Sequence, residues 1–224
     1  MKTQSEFMEL VSRQEPLCNE LRPYVNDSLR GLGQVIHHPL IIELFYDPDR
    51  CGLVNARYAA KVEERQRALD NKKWTTYVFV HERPYRVPAL LKAMHLGCDD
   101  PSLVANVWVD SENIWQHKKT WIHIWTKMPD PRLTMDANER TVYNCMPDTV
   151  TIHRGIKNPR HNRIGLSWTR DKERAVWFAH RLAMKTDKPT VIDATVEKRH
   201  VLAFFNGRGE EEVVVLPKHV KVTP

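Results

Sequence analysis

The alternation of apolar and polar positions along the chain changes its period near residue 145. Upstream the spacing is mostly helical. Leu40, Ile41, Leu44 and Phe45 recur at helical intervals, and the run Ala59 to Leu69 (AAKVEERQRAL) is rich in strong helix formers. Turn signals at Pro23, Pro39, Asp47-Pro48, Pro84, Pro88, Asp100-Pro101 and Pro129-Asp130-Pro131 cut this region into short pieces. The pattern predicts a helical domain over residues 1–145.

Downstream of Met146-Pro147-Asp148 the apolar runs become short, β-branched and partly alternating: Thr149–His153, Thr190–Val196, His200–Phe205, Glu212–Leu216 and His219–Thr223. One helix interrupts them. Thr169 is its expected N-cap, with Asp171 and Glu173 in the first turn, where the helix dipole favours carboxylates; Ala175, Phe178, Ala179 and Leu182 share a face. Strands, one helix and then closely spaced strands predict an α+β sheet domain over residues 146–224.

Tryptophans concentrate between these regions at Trp74, Trp108, Trp115, Trp121 and Trp125. Trp108 and Trp115 are two helical turns apart, so one face is expected to bury both; the basic residues among them offer a stacking platform for single-stranded nucleic acid as the lesser reading. Neighbouring His37 and His38 diverge on any regular element, and no Asp, Glu or Cys completes a ligand set at known spacing, so no metal is expected.

The 224 residues, 42% apolar and 28% charged, have the composition of a folded soluble protein. The N-terminal stretch lacks the basic start and apolar core of a secretory signal, no run of residues suits a membrane span, and Cys18, Cys51, Cys98 and Cys145 form no CxxC pair, so a cytoplasmic protein without a membrane partner is expected. Charge is unevenly spread. Residues 151–224 hold 15 Lys/Arg against 8 Asp/Glu, a net +7, whereas residues 1–150 hold 19 against 20. That excess would attract a polyanion such as a dinucleotide, a nucleic acid or an acidic protein, and it also fits an ordinary solvated basic surface.

Three short segments carry chemistry. In Thr149-Val-Thr-Ile-His153-Arg154-Gly155 an arginine closes an alternating strand and glycine follows. Its guanidinium is costly to bury without an anion, and Gly155 leaves room for a flat ligand at the backbone; a surface arginine before a turn fits as well. In Gly165-Leu-Ser167-Trp168-Thr169 the two hydroxyls lie on one strand face and the indole on the other, and such hydroxyls can orient a neighbouring carboxylate. In Gly207-Arg-Gly209-Glu210-Glu211-Glu212 alternation puts Glu210 and Glu212 on one face. Crowded carboxylates raise each other's pKa and suit stabilising a cationic sugar centre and activating an acceptor; a solvated acidic turn is the plainer alternative.

In this order, His153-Arg154-Gly155, Ser167-Trp168-Thr169 and Glu210-Glu211-Glu212 resemble the ADP-ribosyltransferase superfamily, in its arginine–serine–glutamate (cholera-toxin-like) class. Ala175 and Phe178-Ala179 match a helix common in that family, and the wider pattern looks like uncharacterised phage-encoded members, toxins or effectors acting in a host cytoplasm. The resemblance covers the last third of the chain and implies a split mixed or antiparallel β-sandwich clasping NAD.

On that resemblance Arg154 would bind a phosphate or the adjacent ribose, the Gly155 backbone would meet the nicotinamide amide, and Trp168, Thr169 and Phe178 would line the NAD site. Ser167 would hold Glu212, and Glu212 would bond the nicotinamide ribose and stabilise the oxocarbenium. Glu210 would assist the acceptor nucleophile, an arginine in members with a glutamate at that position. The glutamate run leaves Glu211 as a rival for Glu212, and the following Val-Val-Val-Leu favours Glu212. The implied activity is mono-ADP-ribosyl transfer from NAD to a macromolecule, a protein ahead of a nucleic acid, with residues 1–145 selecting the target. NAD glycohydrolysis, and non-enzymatic binding of nucleic acid or a partner on a degenerate fold, are the competing functions.

Overall fold

The computed structural model describes residues 8–10, 13–26, 34–44, 47–112, 114–158, 163–181 and 183–223. The chain is a mixed α and β protein with two antiparallel sheets, and it divides into two compact units, Met1–Cys98 and Asp99–Pro224.

The first unit is not purely helical. Strands β1 (Val25–Asn26), β2 (Val35–His38) and β3 (Ile41–Leu44) form an antiparallel sheet in that order. The helical spacing of Leu40, Ile41 and Leu44 is thus overruled by a hairpin, and Phe45 lies outside the described residues. Pro39 forces a turn after His38, and the short piece from there to Asp47-Pro48 is too brief for a stable helix. The buried His38 imidazole secures the turn, its Nδ1 accepting from the Leu40 N–H at 3.0 Å. Leu17, Leu21, Ile36, Ile41, Cys51 and Val54 close the core beneath. Helix α1 (Gly52–Asp70) spans the predicted Ala59–Leu69 run, and α2 (Trp74–Phe79) and α3 (Arg86–His95) follow.

The second unit begins earlier than residue 146. Helices α4 (Pro101–Asp110), α5 (Lys118–Lys127) and α6 (Ala137–Asn144) belong to the same compact unit as the C-terminal sheet. The apolar faces of these helices and the sheet need each other: α6 packs on strand β7 (Val201–Phe205), and Glu139, the N3 residue of the α6 capping box, also accepts from the Asn206 N–H at 2.9 Å. Trp108, Trp121 and Trp125 are fully buried and interlock, with ring centroids 4.8 to 6.3 Å apart. Trp115 does not share their face. Helix α4 stops at Asp110, and Trp115 stands 61% exposed beyond it.

Strands β4 (Thr149–Ile156), β5 (Ser167–Thr169), β6 (Thr190–Glu197), β7, β8 (Glu212–Val215) and β9 (Lys221–Val222) form an antiparallel sheet ordered β7-β8-β5-β4-β6-β9. β4 pairs with β6 along its whole length but with β5 only at His153↔Thr169. The sheet is therefore two three-stranded halves joined at one point. Helix α7 (Lys172–His180) packs on β4, with Ala175 and Ala179 buried; Leu182 lies outside the described residues. Its N-cap is Asp171, accepting from the Glu173 and Arg174 N–H groups, and not Thr169, whose hydroxyl accepts from the Asp171 N–H one step earlier. Among the described residues no helix is long and apolar enough to cross a membrane.

Gly155 lies where α7 crosses β4. A Cβ there would sit 2.0 Å from the Ala175 carbonyl oxygen and 2.5 Å from the Ala179 nitrogen. Backbone on both sides cannot yield cheaply, so Gly155→Ala is expected to destabilise the second unit by roughly 1–3 kcal/mol, as overpacking does. Chemical denaturation would measure this, and an unchanged midpoint would refute the packing role.

Candidate functional site

A cleft of about 730 Å³ opens over the β4–β5 joint, within the size range of small-molecule sites. Every site residue expected from the sequence lines it: Arg154, Gly155, Ser167, Trp168, Thr169, Phe178, Glu210 and Glu212. The register explains how distant segments converge. Thr169 lies opposite Glu212 and Ser167 opposite Val214, so period-two alternation places Ser167, Thr169 and Glu212 on one face.

Ser167 joins the other two principal groups. Its hydroxyl donates to Glu212 Oε1 at 2.5 Å, and its carbonyl accepts from Arg154 Nη1 at 2.5 Å. Glu212 is buried, 6% exposed, and burial pushes its carboxyl pKa up, as does the charge of Glu210. The Ser167 hydrogen bond, the Trp108 indole and the Arg208 charge pull the other way. The Trp108 indole N–H lies beside the carboxylate close enough to favour the ion, yet outside hydrogen-bond geometry, and makes no hydrogen bond of its own. Arg154 is partly open to the cleft but its guanidinium is surrounded by protein; burial brings its pKa down to about 10, against the pull of Glu212, and leaves it a cation at neutral pH.

Glu211 is not in the cleft lining. Its backbone turns into the left-handed region at φ 43°, and its N–H donates to the Asn206 side chain at 3.2 Å, so Glu212 is the glutamate that meets Ser167. Gly209 at φ 63° helps make the turn. The loop is pinned from several sides: Thr169 Oγ1 donates to the Glu210 carbonyl at 2.6 Å, Arg170 N to Glu211 O at 3.1 Å and Arg174 Nη2 to Gly209 O at 3.2 Å. Trp168 is buried and its indole donates to the Gly165 carbonyl at 3.0 Å, making it a strut under the cleft.

Gly155 serves two surfaces. Its missing side chain makes room for α7, while its backbone borders the cleft. The room for the guanidinium comes from Gly165: a Cβ there would lie 2.5 Å from Arg154 Cζ. Sequence reasoning gave no role at the cleft to Gly165, Arg208, Lys118, Lys157 or Arg181, and it expected Trp108 and Trp115 on one buried helix face. Among them only Arg208, two residues before Glu210, carried a local signal. Among the described residues no three His, Cys, Asp or Glu are grouped to hold a metal ion. Comparison with protein-family models, with curated proteins and with solved structures returned no match.

A carboxylate whose pKa is raised by burial costs folding free energy when it ionises. Its contribution is most favourable below the ordinary carboxylate range and worsens as pH climbs through that range toward the raised value. Glu212→Gln keeps an acceptor for Ser167 and removes that cost, so the variant is expected to melt higher at neutral pH by on the order of a few degrees, with the gain shrinking toward acid pH. Thermal melts across pH check this; a variant less stable at neutral pH would contradict it.

Proposed function

We propose that the second unit is a mono-ADP-ribosyltransferase that takes NAD as substrate and passes ADP-ribose to a macromolecular acceptor, releasing nicotinamide. The observation that carries the reading is the convergence of Arg154, Ser167 and Glu212 in one cleft, with the Ser167 hydroxyl bonded to the buried carboxylate. The sheet in two halves, with the cleft over their joint, fits the split sandwich that the sequence resemblance implies.

The lining suits a dinucleotide. Arg154, Lys118, Lys157 and Arg181 supply cations for a pyrophosphate, and Phe178 and Trp115 offer aromatic surface to a flat ring. Glu212 is held where positive charge would develop on the nicotinamide ribose as the glycosidic bond breaks, and Ser167 fixes its orientation beforehand. Arg154, tied to the Ser167 carbonyl, sets the floor of the cleft against a phosphate or ribose oxygen. Glu210, at the cleft and less buried than Glu212, is placed to take a proton from the acceptor.

NAD labelled in its adenylate half and incubated with protein and cell lysate is expected to leave label on a macromolecule, nuclease and protease treatment telling a protein acceptor from a nucleic acid. Glu212→Gln should lower nicotinamide release by at least about a hundredfold, the scale of losing one preorganised electrostatic group. Equal release by the variant would remove Glu212 from the chemistry.

Trp108 gives a separate handle. Its indole favours the ionised carboxylate, so Trp108→Phe should raise the Glu212 pKa and move the acid-side fall in nicotinamide release to higher pH. A profile that drops in rate without shifting would limit Trp108 to packing.

A further inference from the structure

Arg208 is the side chain at this cleft that a structural role explains least. It sits at the tip of the loop joining β7 to β8, between Gly207 and Gly209, with its side chain half exposed. A Cβ built on Gly207 would meet nothing within 4 Å, so the tip stands in open space, while the backbone after it is pinned through Gly209, Glu210 and Glu211. From this anchored position the guanidinium Nη2 reaches Glu210 Oε2 at 3.0 Å. With its arginine half exposed, the pair adds little to stability. What it does achieve is to hold an arginine against the second carboxylate of the cleft, with both side chains lining the same cavity as Glu212.

We propose that Arg208 is an acceptor for the protein's own reaction: with no other acceptor present, the chain ADP-ribosylates itself there. The inference rests on the transferase reading above and adds a defined modification site to it. In the step, the bond between the ribose C1′ and the nicotinamide nitrogen breaks, its electron pair returning to the ring as neutral nicotinamide leaves. An Nη of Arg208 forms the new bond to C1′. A guanidinium nitrogen is a poor nucleophile while it holds its proton, and Glu210, already its hydrogen-bond partner, takes that proton and passes it to water. One NAD and one arginine give one ADP-ribosyl-arginine, one nicotinamide and one proton, with no redox change. Because donor site and acceptor are on one chain, the reaction gains the effective concentration of an intramolecular step. Its product places a bulky dianion across the cleft mouth, so each chain is modified once and its further turnover falls.

The full-length protein incubated with NAD alone tests this, with released nicotinamide and the modified peptide followed together by mass spectrometry. The expected result is one ADP-ribosyl group on the peptide containing Arg208, appearing at a rate per chain that dilution leaves unchanged. The mark should be absent in Glu212→Gln and strongly reduced in Glu210→Gln. Nicotinamide release with an unmodified Arg208 would overturn the inference and leave the transferase reading standing, Arg208 then acting as a phosphate clamp. Labelling that slows in proportion to dilution would overturn the intramolecular step. No nicotinamide release from NAD, with or without lysate, would bring down the transferase reading and this inference together.

Discussion

The hydrogen bond from Ser167 to the buried carboxylate of Glu212 is the constraint around which the second unit is arranged. A carboxylate taken out of water is expensive, and the remaining stability of a domain is small enough that such a cost must be met locally. Here it is offset in part by a hydroxyl on the neighbouring strand, by the dipole of an indole and by the charge of a nearby arginine. Each helper requires an element in a set place. β5 must pair with β8 so that Thr169 faces Glu212, α4 must bring Trp108 to the same point, and the loop before β8 must turn through a left-handed Glu211. A core with only packing to achieve would put an apolar residue at position 212, so keeping a carboxylate there argues for chemistry.

That dependence explains why the helices of residues 101–144 cannot be assigned elsewhere. The three interlocked indoles of Trp108, Trp121 and Trp125 form a rigid block whose N–H groups make no hydrogen bonds, and one of these lies beside Glu212. Glu139 on α6 grips the start of the β7–β8 loop through the Asn206 N–H, and the Asn206 side chain in turn accepts from Glu211 N–H. The loop that presents Glu210 and Arg208 is thus fixed at its start by a helix, at its middle by Arg174 and at its end by Thr169 and Arg170. Strand pairing alone would have left it loose.

Much of this was legible in the sequence because it follows from period. Alternation located β6, β7 and β8 to within a residue and found the start of β4 while ending it three residues early; the pairing of Ser167 with Glu212 came from the family resemblance and not from period. Period failed where a few residues fit two patterns. Leu40, Ile41 and Leu44 suit a helix face and a hairpin equally, and only Pro39 with its His38-capped turn decides. Trp115 lost its assigned face because α4 ends early, and Thr169 lost the cap to Asp171 because both have the right chemistry and only two residues separate them. Gly165 and Trp108 could not be read as parts of the cleft, although the burial of Trp108 could. Their meaning lies in what stands across from them in space, a guanidinium 2.5 Å from an imagined Cβ and a carboxylate beside an indole, and no local pattern encodes that.

The two glutamates of the cleft are chemically alike and physically different, and the difference is what makes a division of labour possible. Glu212 is buried, held by Ser167 and carried on a strand paired to β5. Such a group stabilises charge at a fixed point but shuttles protons poorly, since each cycle would carry it between a costly ion and a neutral acid in the same closed space. Glu210 sits before β8 on the pinned loop, more open to water, with its carboxylate turned to a cation that is itself half exposed. On the transferase reading, the buried carboxylate meets the developing sugar cation and the open one meets the incoming nucleophile. The single step from Glu210 to Glu212 across Glu211 at φ 43° is then the feature that sets the two environments apart.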